Sequence, residues 1–261
     1  MAESAPGAGK SGSRLFRYIE ELQGDRPWGS FLDAGTGTNS GRWVASLPTE
    51  RWTAVSGAQG HAIQVRDAVE DARRPQDRIV LGNWADEALL EGERYDTVLA
   101  DYLVGAIEGF APYYQPYLFA RLRKLTGGRL YVVGLEPYVS AEPDTPAGKM
   151  IWEIGRFRDA CLTLVGERPY REYPAQWVAD HLAVAGFRVL DARHFPIRYK
   201  ARFVNSQIDM CASRLDRLAD RALADALRHR GEQLRAQALA MVEANGGLQH
   251  GFDYVVTAEP R

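Results

Sequence analysis

Cysteine is scarce in this chain: only Cys161 and Cys211 occur among 261 residues, and neither lies in a C-x-x-C pair or a Cys/His cluster. That excludes a disulfide framework, leaves no metal site to expect, and fits a reducing, cytosolic compartment. Surplus charge is also lacking. A formal net charge of −2 provides no concentrated basic face, so a nucleic-acid partner is not expected. No apolar run approaches the roughly 20 residues of a membrane span, and the opening MAESAPGAGKSGS has no apolar core of signal-peptide length. No membrane partner is therefore expected, and residues 1–13 read as a flexible tail. Repeats at solenoid spacing are absent. What is present is a 46% hydrophobic content, enough to bury the core of one large α/β domain over residues 14–261.

The pattern along the chain is strand, helix, strand. After Ser13, a capping-type residue, RLFRYIEELQ places Leu15, Phe16, Ile19 and Leu22 on one helical face, and Gly24 and Pro27 end it. SFLDAGTG is a short apolar run that stops at glycines and leads into the amphipathic SGRWVASL. The alternation continues through RWTAVSGA, HAIQVRDAVEDARR, RIVLGN, YDTVLADYLV and PYLFARLRKL. A turn at TGG then leads into RLYVVGLEPY, and PAQWVADHLAVAGFRVLDARHF reads as a helix, a glycine cap at Gly186 and a sixth strand. FDYVVTA closes the chain as a seventh strand. This predicts a doubly wound α/β fold with a mainly parallel seven-stranded sheet and an antiparallel last strand.

Between the last two strands, residues 207–243 carry Leu215, Leu218, Ala222, Ala226 and Leu227 near helical spacing. They read as a helical insertion, divided at Gly231 and ended by Asn245 to Gly247. Its interspersed charges suit solvated helices, acting as a lid or as the surface of a homodimer.

The loop Asp33-Ala34-Gly35-Thr36-Gly37-Thr38-Asn39 puts small residues where the backbone must turn sharply and a ligand can lie against it. Asp33 decides between ligands. A carboxylate there repels a pyrophosphate but attracts an ammonium group, which favours S-adenosylmethionine (SAM) over a dinucleotide.

FLDAGTGTNS resembles the first motif of class I (Rossmann-like) SAM-dependent methyltransferases, D/E-x-G-x-G-x-G, with Asn39 in place of the last glycine. The likeness runs from about Arg14 to Tyr138. It implies that Asp33, Gly35, Thr36, Gly37 and Asn39 cradle SAM, with S-adenosylhomocysteine (SAH) as product. Asn tolerates left-handed backbone, which accommodates the substitution. The family's acidic residue after the second strand is missing; Ser56, Gly57 and Gln59 stand there instead. Asn83 and Trp84 follow the third strand where family members contact adenine; Trp84 could equally cover the sheet edge.

Asp101 and Tyr102 end the fourth strand, on the side that faces the ligand crevice in an open parallel sheet. The resemblance assigns Asp101 to the methionine part of SAM or to the acceptor, with Asp101 and Tyr102 as the catalytic pair; capping the next helix is the alternative for Asp101. Glu108 faces either the crevice or solvent. Phe110, Tyr113, Tyr114, Tyr117 and Phe119, then Tyr138, Trp152, Tyr170, Tyr173 and Trp177, are partly core and partly candidates to wall a pocket for a flat or cationic small molecule. His61, His181 and His229 read as surface residues, whereas His194 and His250 flank the insertion. The expected activity is methyl transfer to a small-molecule acceptor by in-line attack. The alternatives are a SAM-fold enzyme transferring another group, such as aminopropyl, and a noncatalytic SAM-binding or scaffold subunit.

Overall fold

The computed structural model describes residues 13–261, so the tail read at residues 1–13 lies, apart from Ser13, outside the described residues. The first helix, α1 (Arg14–Gln23), buries Leu15, Phe16 and Ile19 and ends at Gly24, in positive-φ backbone. Ser13 holds its N-cap position, but its side chain makes no capping bond.

Five strands run parallel: β1 (Ser30–Asp33), β2 (Arg51–Ser56), β3 (Arg78–Leu81), β4 (Tyr95–Asp101) and β5 (Thr126–Leu135). Two more complete the sheet, β6 (Phe187–Tyr199) and β7 (Leu248–Pro260), in the order β3-β2-β1-β4-β5-β7-β6. β7 is antiparallel to both its neighbours. Strand alternation feeds two cores: Phe31, Leu99 and Tyr131 join Trp43 on one face, while Leu32, Val98 and Val132 join Phe119 and Val178 on the other. Helices α2 (Thr38–Ser46) and α3 (Gln59–Val69) cover the first face together with α1. Helices α5 (Gln115–Leu125) and α7 (Ala175–Val184) cover the second. A four-residue α4 (Leu103–Ala106) follows β4 directly.

The structure departs from the sequence reading in four places. The TGG segment is strand rather than turn: Gly127 and Gly128 lie in β5 beside a register shift near Tyr95, and a Cβ on Gly128 would sit 2.5 Å from the Asp96 carbonyl. A nineteen-residue helix, α6 (Pro146–Leu164), was not anticipated because its proline and glycines break the pattern. Its start is nonetheless well formed, with Thr145 capping Gly148 N–H and Pro146 in the first turn.

The insertion is longer than residues 207–243, being α8 (Ala201–Leu215) and α9 (Arg221–Asn245). Gly231 does not divide it. It is buried inside α9, where a side chain would press on Phe157 and Ile208, and the break falls at residues 216–220 instead. Gly246, in left-handed backbone, ends the helix as expected.

β6 and β7 extend past the sheet. β7 pairs with β5 only from Asp253 to Ala258, yet its ladder with β6 continues to Tyr199 opposite Leu248. This arm carries α8 and α9 beyond the carboxyl end of β5 and packs them on α6. Leu215 is fully buried with Cys161, Cys211 and Ala224, and Leu218 and Phe157 complete that cluster. Of the insertion's leucines, Leu223 is exposed and the others are covered within the chain.

Candidate active site

At the reversal of strand order between β1 and β4, the carboxyl ends of the strands open into a cleft of about 280 Å³. The glycine loop is strung between its neighbours: Ala34 N–H donates to the Leu99 carbonyl at 2.8 Å and Thr36 N–H to the Val55 carbonyl at 3.0 Å. Gly35 lies where a Cβ would press on Leu103 at 2.9 Å. Gly37 differs, because a Cβ there would meet nothing within 4 Å. Its missing side chain thus leaves ligand space in the cleft, not packing space. Ser40 accepts from Gly37 N–H at 3.0 Å and fixes the start of α2.

Gly35, Thr36, Gly37, Ser56, Gly57, Asn83, Trp84, Asp101 and Tyr102 all line the cleft. Asp33 lies behind the loop, fully buried, and Asn39 is exposed in the first turn of α2, outside the lining. Asn39 is helical, so the left-handed tolerance ascribed to it is not used. The Ser56 hydroxyl turns back to the Ala58 carbonyl at 3.1 Å, and the Phe110 ring fills the space a Gly57 side chain would take. Asn83 braces its own turn, donating to the Phe110 carbonyl at 2.8 Å and accepting from Ala85 N–H at 3.0 Å. Trp84 is a core residue whose Nε1 donates to the Ala34 carbonyl at 2.7 Å, and it also lines the cleft.

The floor is built of buried carboxyl groups. Neither carboxylate oxygen of Asp33 has a hydrogen-bond partner among the described residues, nor does Asp101 Oδ1. Burial pushes Asp33 up to about 6, held partly in check by the nearby Ser40 and Thr36 hydroxyls and the Gly35 N–H. Asp101 is pushed up to about 8, by burial first and then by the neighbouring charges of Asp33 and Asp253. Tyr102 stands in left-handed backbone (φ 50°, ψ 17°), a conformation a bulky residue adopts only when its surroundings enforce it. Its hydroxyl donates to Asp253 Oδ1 at 2.8 Å, and burial drives its own ionisation upward.

Other predicted positions are elsewhere. Glu108 is buried under Tyr113 N–H, Gln115 and Arg168, a clamp at the rim of a neighbouring cavity. His194 pairs with Glu136 at 2.8 Å, while burial lowers the pKa of His250; neither lines the cleft. His181 stacks on Trp177 with ring centres 3.7 Å apart, so it is not a free surface residue. Of the aromatic residues, Phe110 and Tyr170 reach the cleft, Phe119 is core, and Tyr113 and Tyr117 are exposed. His61 is exposed, as read from the sequence, but it also lines the cleft from the first turn of α3, a role the sequence reading did not give it.

The sequence matches no family model and no curated protein. Solved structures do resemble it. Over 96% of this chain and 100% of the other, it is similar to BH2331, a candidate methyltransferase from Bacillus halodurans C-125, with a TM-score of 0.59 and 14% identity. YcgJ from Bacillus subtilis gives a TM-score of 0.57 at 13% identity, over 95% of this chain and 98% of that one. Mycolic acid cyclopropane synthase CmaA1, complexed with SAH and CTAB, gives 0.53 at 18%, over 94% and 83%. Strand order, antiparallel β7 and the glycine loop at the β1–β4 switch point agree with these likenesses: the chain has the fold of the class I SAM-dependent methyltransferases.

Proposed function

We propose that this protein is a SAM-dependent methyltransferase acting on a small-molecule acceptor by in-line attack. The observation that carries the reading is two buried carboxylates with unpartnered oxygens, Asp101 in the lining of the glycine cleft and Asp33 behind its loop. Buried polar groups are nearly always satisfied, so two such carboxylates call for a cationic ligand group. The ammonium of SAM meets that need. A nucleotide phosphate would be repelled at the same place.

The rest of the cleft fits the same ligand. Gly37 leaves the loop backbone open, Trp84 and Asn83 form the end suited to adenine, and Ser56, Gly57 and His61 lie between them and the loop. His61 is the candidate to replace the absent ribose acid. When bound, SAM supplies a methyl group already activated on a sulfonium. The chain's own task is then to align an acceptor and, where required, to take its proton. Asp101 and Tyr102 occupy the end of the cleft where that alignment is set.

Titration calorimetry with SAM and SAH tests the reading. Sub-micromolar SAH binding is expected; absence of binding by either compound would refute it and leave a scaffold role.

A further inference from the structure

Between α6 and α7 the chain forms a strap over residues 165–174, pinned along its length. Arg168 reaches Glu108 at 3.0 Å, Arg171 N–H donates to the Gly105 carbonyl at 3.2 Å, the Tyr254 hydroxyl donates to the Tyr173 carbonyl at 2.9 Å, and Ala175 N–H donates to Glu136 at 2.9 Å. This fixes Tyr170 and Glu172. Tyr170 lines both the glycine cleft and a second cavity of about 380 Å³, which Tyr138, Arg158 and Glu172 also line. The two cavities therefore meet at Tyr170.

Glu172 has no hydrogen bond or ion pair with any described residue, and its carboxylate lies so close to α4 that a Cβ on Gly105 would collide with it. Tyr102 donates to Asp253, and the charges of Asp253, Asp101 and Glu172 all act to raise its pKa. The cations nearby are engaged or distant. Arg158 is held by Asp159 at 2.7 Å and by the Tyr138 hydroxyl at 2.6 Å, Arg168 by Glu108, and Arg14 approaches only Asp253, at 3.6 Å. Arg171 is exposed at the rim. SAM carries a single ammonium group, which can satisfy the Asp33 and Asp101 end of the crevice but leaves Glu172 without a partner. A neutral acceptor would leave Glu172 unsatisfied, and an anionic one would be repelled.

We propose that the second cavity receives a basic amine as acceptor, with Glu172 holding its ammonium group, Asp101 completing the anionic face beyond Tyr102, and Tyr138 and Tyr170 forming aromatic walls. The acceptor role rests on the SAM-dependent reading above. An ammonium nitrogen has no free electron pair, so one N–H bond must break before it can attack. Its proton passes to the Glu172 carboxylate, leaving a neutral amine and a carboxylic acid. Burial raises Glu172 to about 7, which brings it far closer to an ammonium group than an ordinary carboxylate is.

The test is calorimetry on the SAH-saturated protein with benzylamine, 2-phenylethylamine and 3-phenylpropylamine, each against the alcohol of the same skeleton. At least one amine should bind about tenfold or more tighter than its alcohol, the margin of a charge-assisted contact. Its affinity should rise between about pH 6 and 8 as Glu172 ionises. Glu172→Gln, nearly isosteric, should reduce the preference to about twofold or less and flatten the pH response, while SAH affinity stays unchanged. SAH binding with no amine preference in any pair would overturn the amine assignment and leave the cofactor reading intact. A preference that survives Glu172→Gln would overturn the role of Glu172. Failure of SAH to bind would remove the cofactor reading and the acceptor role with it.

Discussion

The two halves of the crevice are built by different means. On the β1–β2–β4 side, backbone does most of the work: a strand end, two glycines and a helix start shape the cleft, and Gly37 contributes by lacking a side chain. On the side of α6, the strap and the β6–β7 arm, the shape comes from side chains far apart in sequence, such as Tyr138 with Arg158 and Gln207, or Glu172 against Gly105. A site made of backbone tolerates no added side chain but needs little packing. A site made of side chains depends on a folded cap.

The contrast should appear most sharply in Gly37→Val. Its φ of −124° is open to any residue and its Cβ direction is empty, so melting temperature should barely move while SAH binding falls below detection by calorimetry. Normal affinity in the folded variant would refute the placement of the cofactor. Leu215→Ala is the converse. It removes a fully buried side chain from the cap cluster, at a cost of about 3 kcal/mol, and lowers the melting temperature by roughly 6–12 °C. SAH affinity of the folded protein should change by less than about twofold, since added independence between the halves means their effects do not couple. A large loss would show that the cap reaches the cofactor.

Asp33→Asn is expected to weaken SAM binding by about tenfold or more, because a charge-assisted contact contributes about 1.5–3 kcal/mol. In the wild type, SAM should bind more tightly at pH 7.5 than at pH 5, as Asp33 ionises with its pKa at about 6. A loss below twofold in the variant would make Asp33 purely structural.

The smallest effect concerns the ligand-free protein. Asp101 has a folded pKa of about 8, above its unfolded value near 3.9. Folding therefore takes up a proton between those limits: the contribution to stability is complete below about pH 4 and is lost as pH rises through about 8. Asp101→Asn should match the wild type near pH 4 and melt at a higher temperature than the wild type at pH 8.5 in a thermal scan. Equal melting at both pH values would mean that Asp101 is better solvated than its position indicates.

The same division governs what could be read in advance. Short apolar runs and glycine stops exposed the strands from Ser30 to Tyr138, because parallel strands buried on both faces leave near-continuous apolar runs. The loop from Asp33 to Gly37 was legible because backbone geometry dictates residue type locally. α6 was missed although Thr145 and Pro146 mark its start, since glycines at positions 148 and 155, required by close contacts with His250 and Val139, interrupt its pattern. Gly231 misled for a related reason: it serves packing against Phe157, not a break in the helix. His61 had a positional signal, one turn beyond the second strand. Tyr170 stood out only as one of an aromatic-dense segment, and Glu172 had no signal. They sit in an irregular strap whose placement depends on hydrogen bonds to Gly105, Glu108 and Tyr254.

The arm formed by β6 and β7 has a bearing on how such a chain can change through descent. All of α8 and α9 leaves and rejoins the sheet across one paired position, Tyr199 opposite Leu248, outside the span where β7 pairs with β5. Residues gained or lost among those helices need not slip the register of the sheet, because the ladder from Asp253 to Ala258 is set by its own pairing and burial. Generations of substitution can therefore remodel the cap while Asp253, Tyr254 and the strands beneath the glycine loop stay where they are.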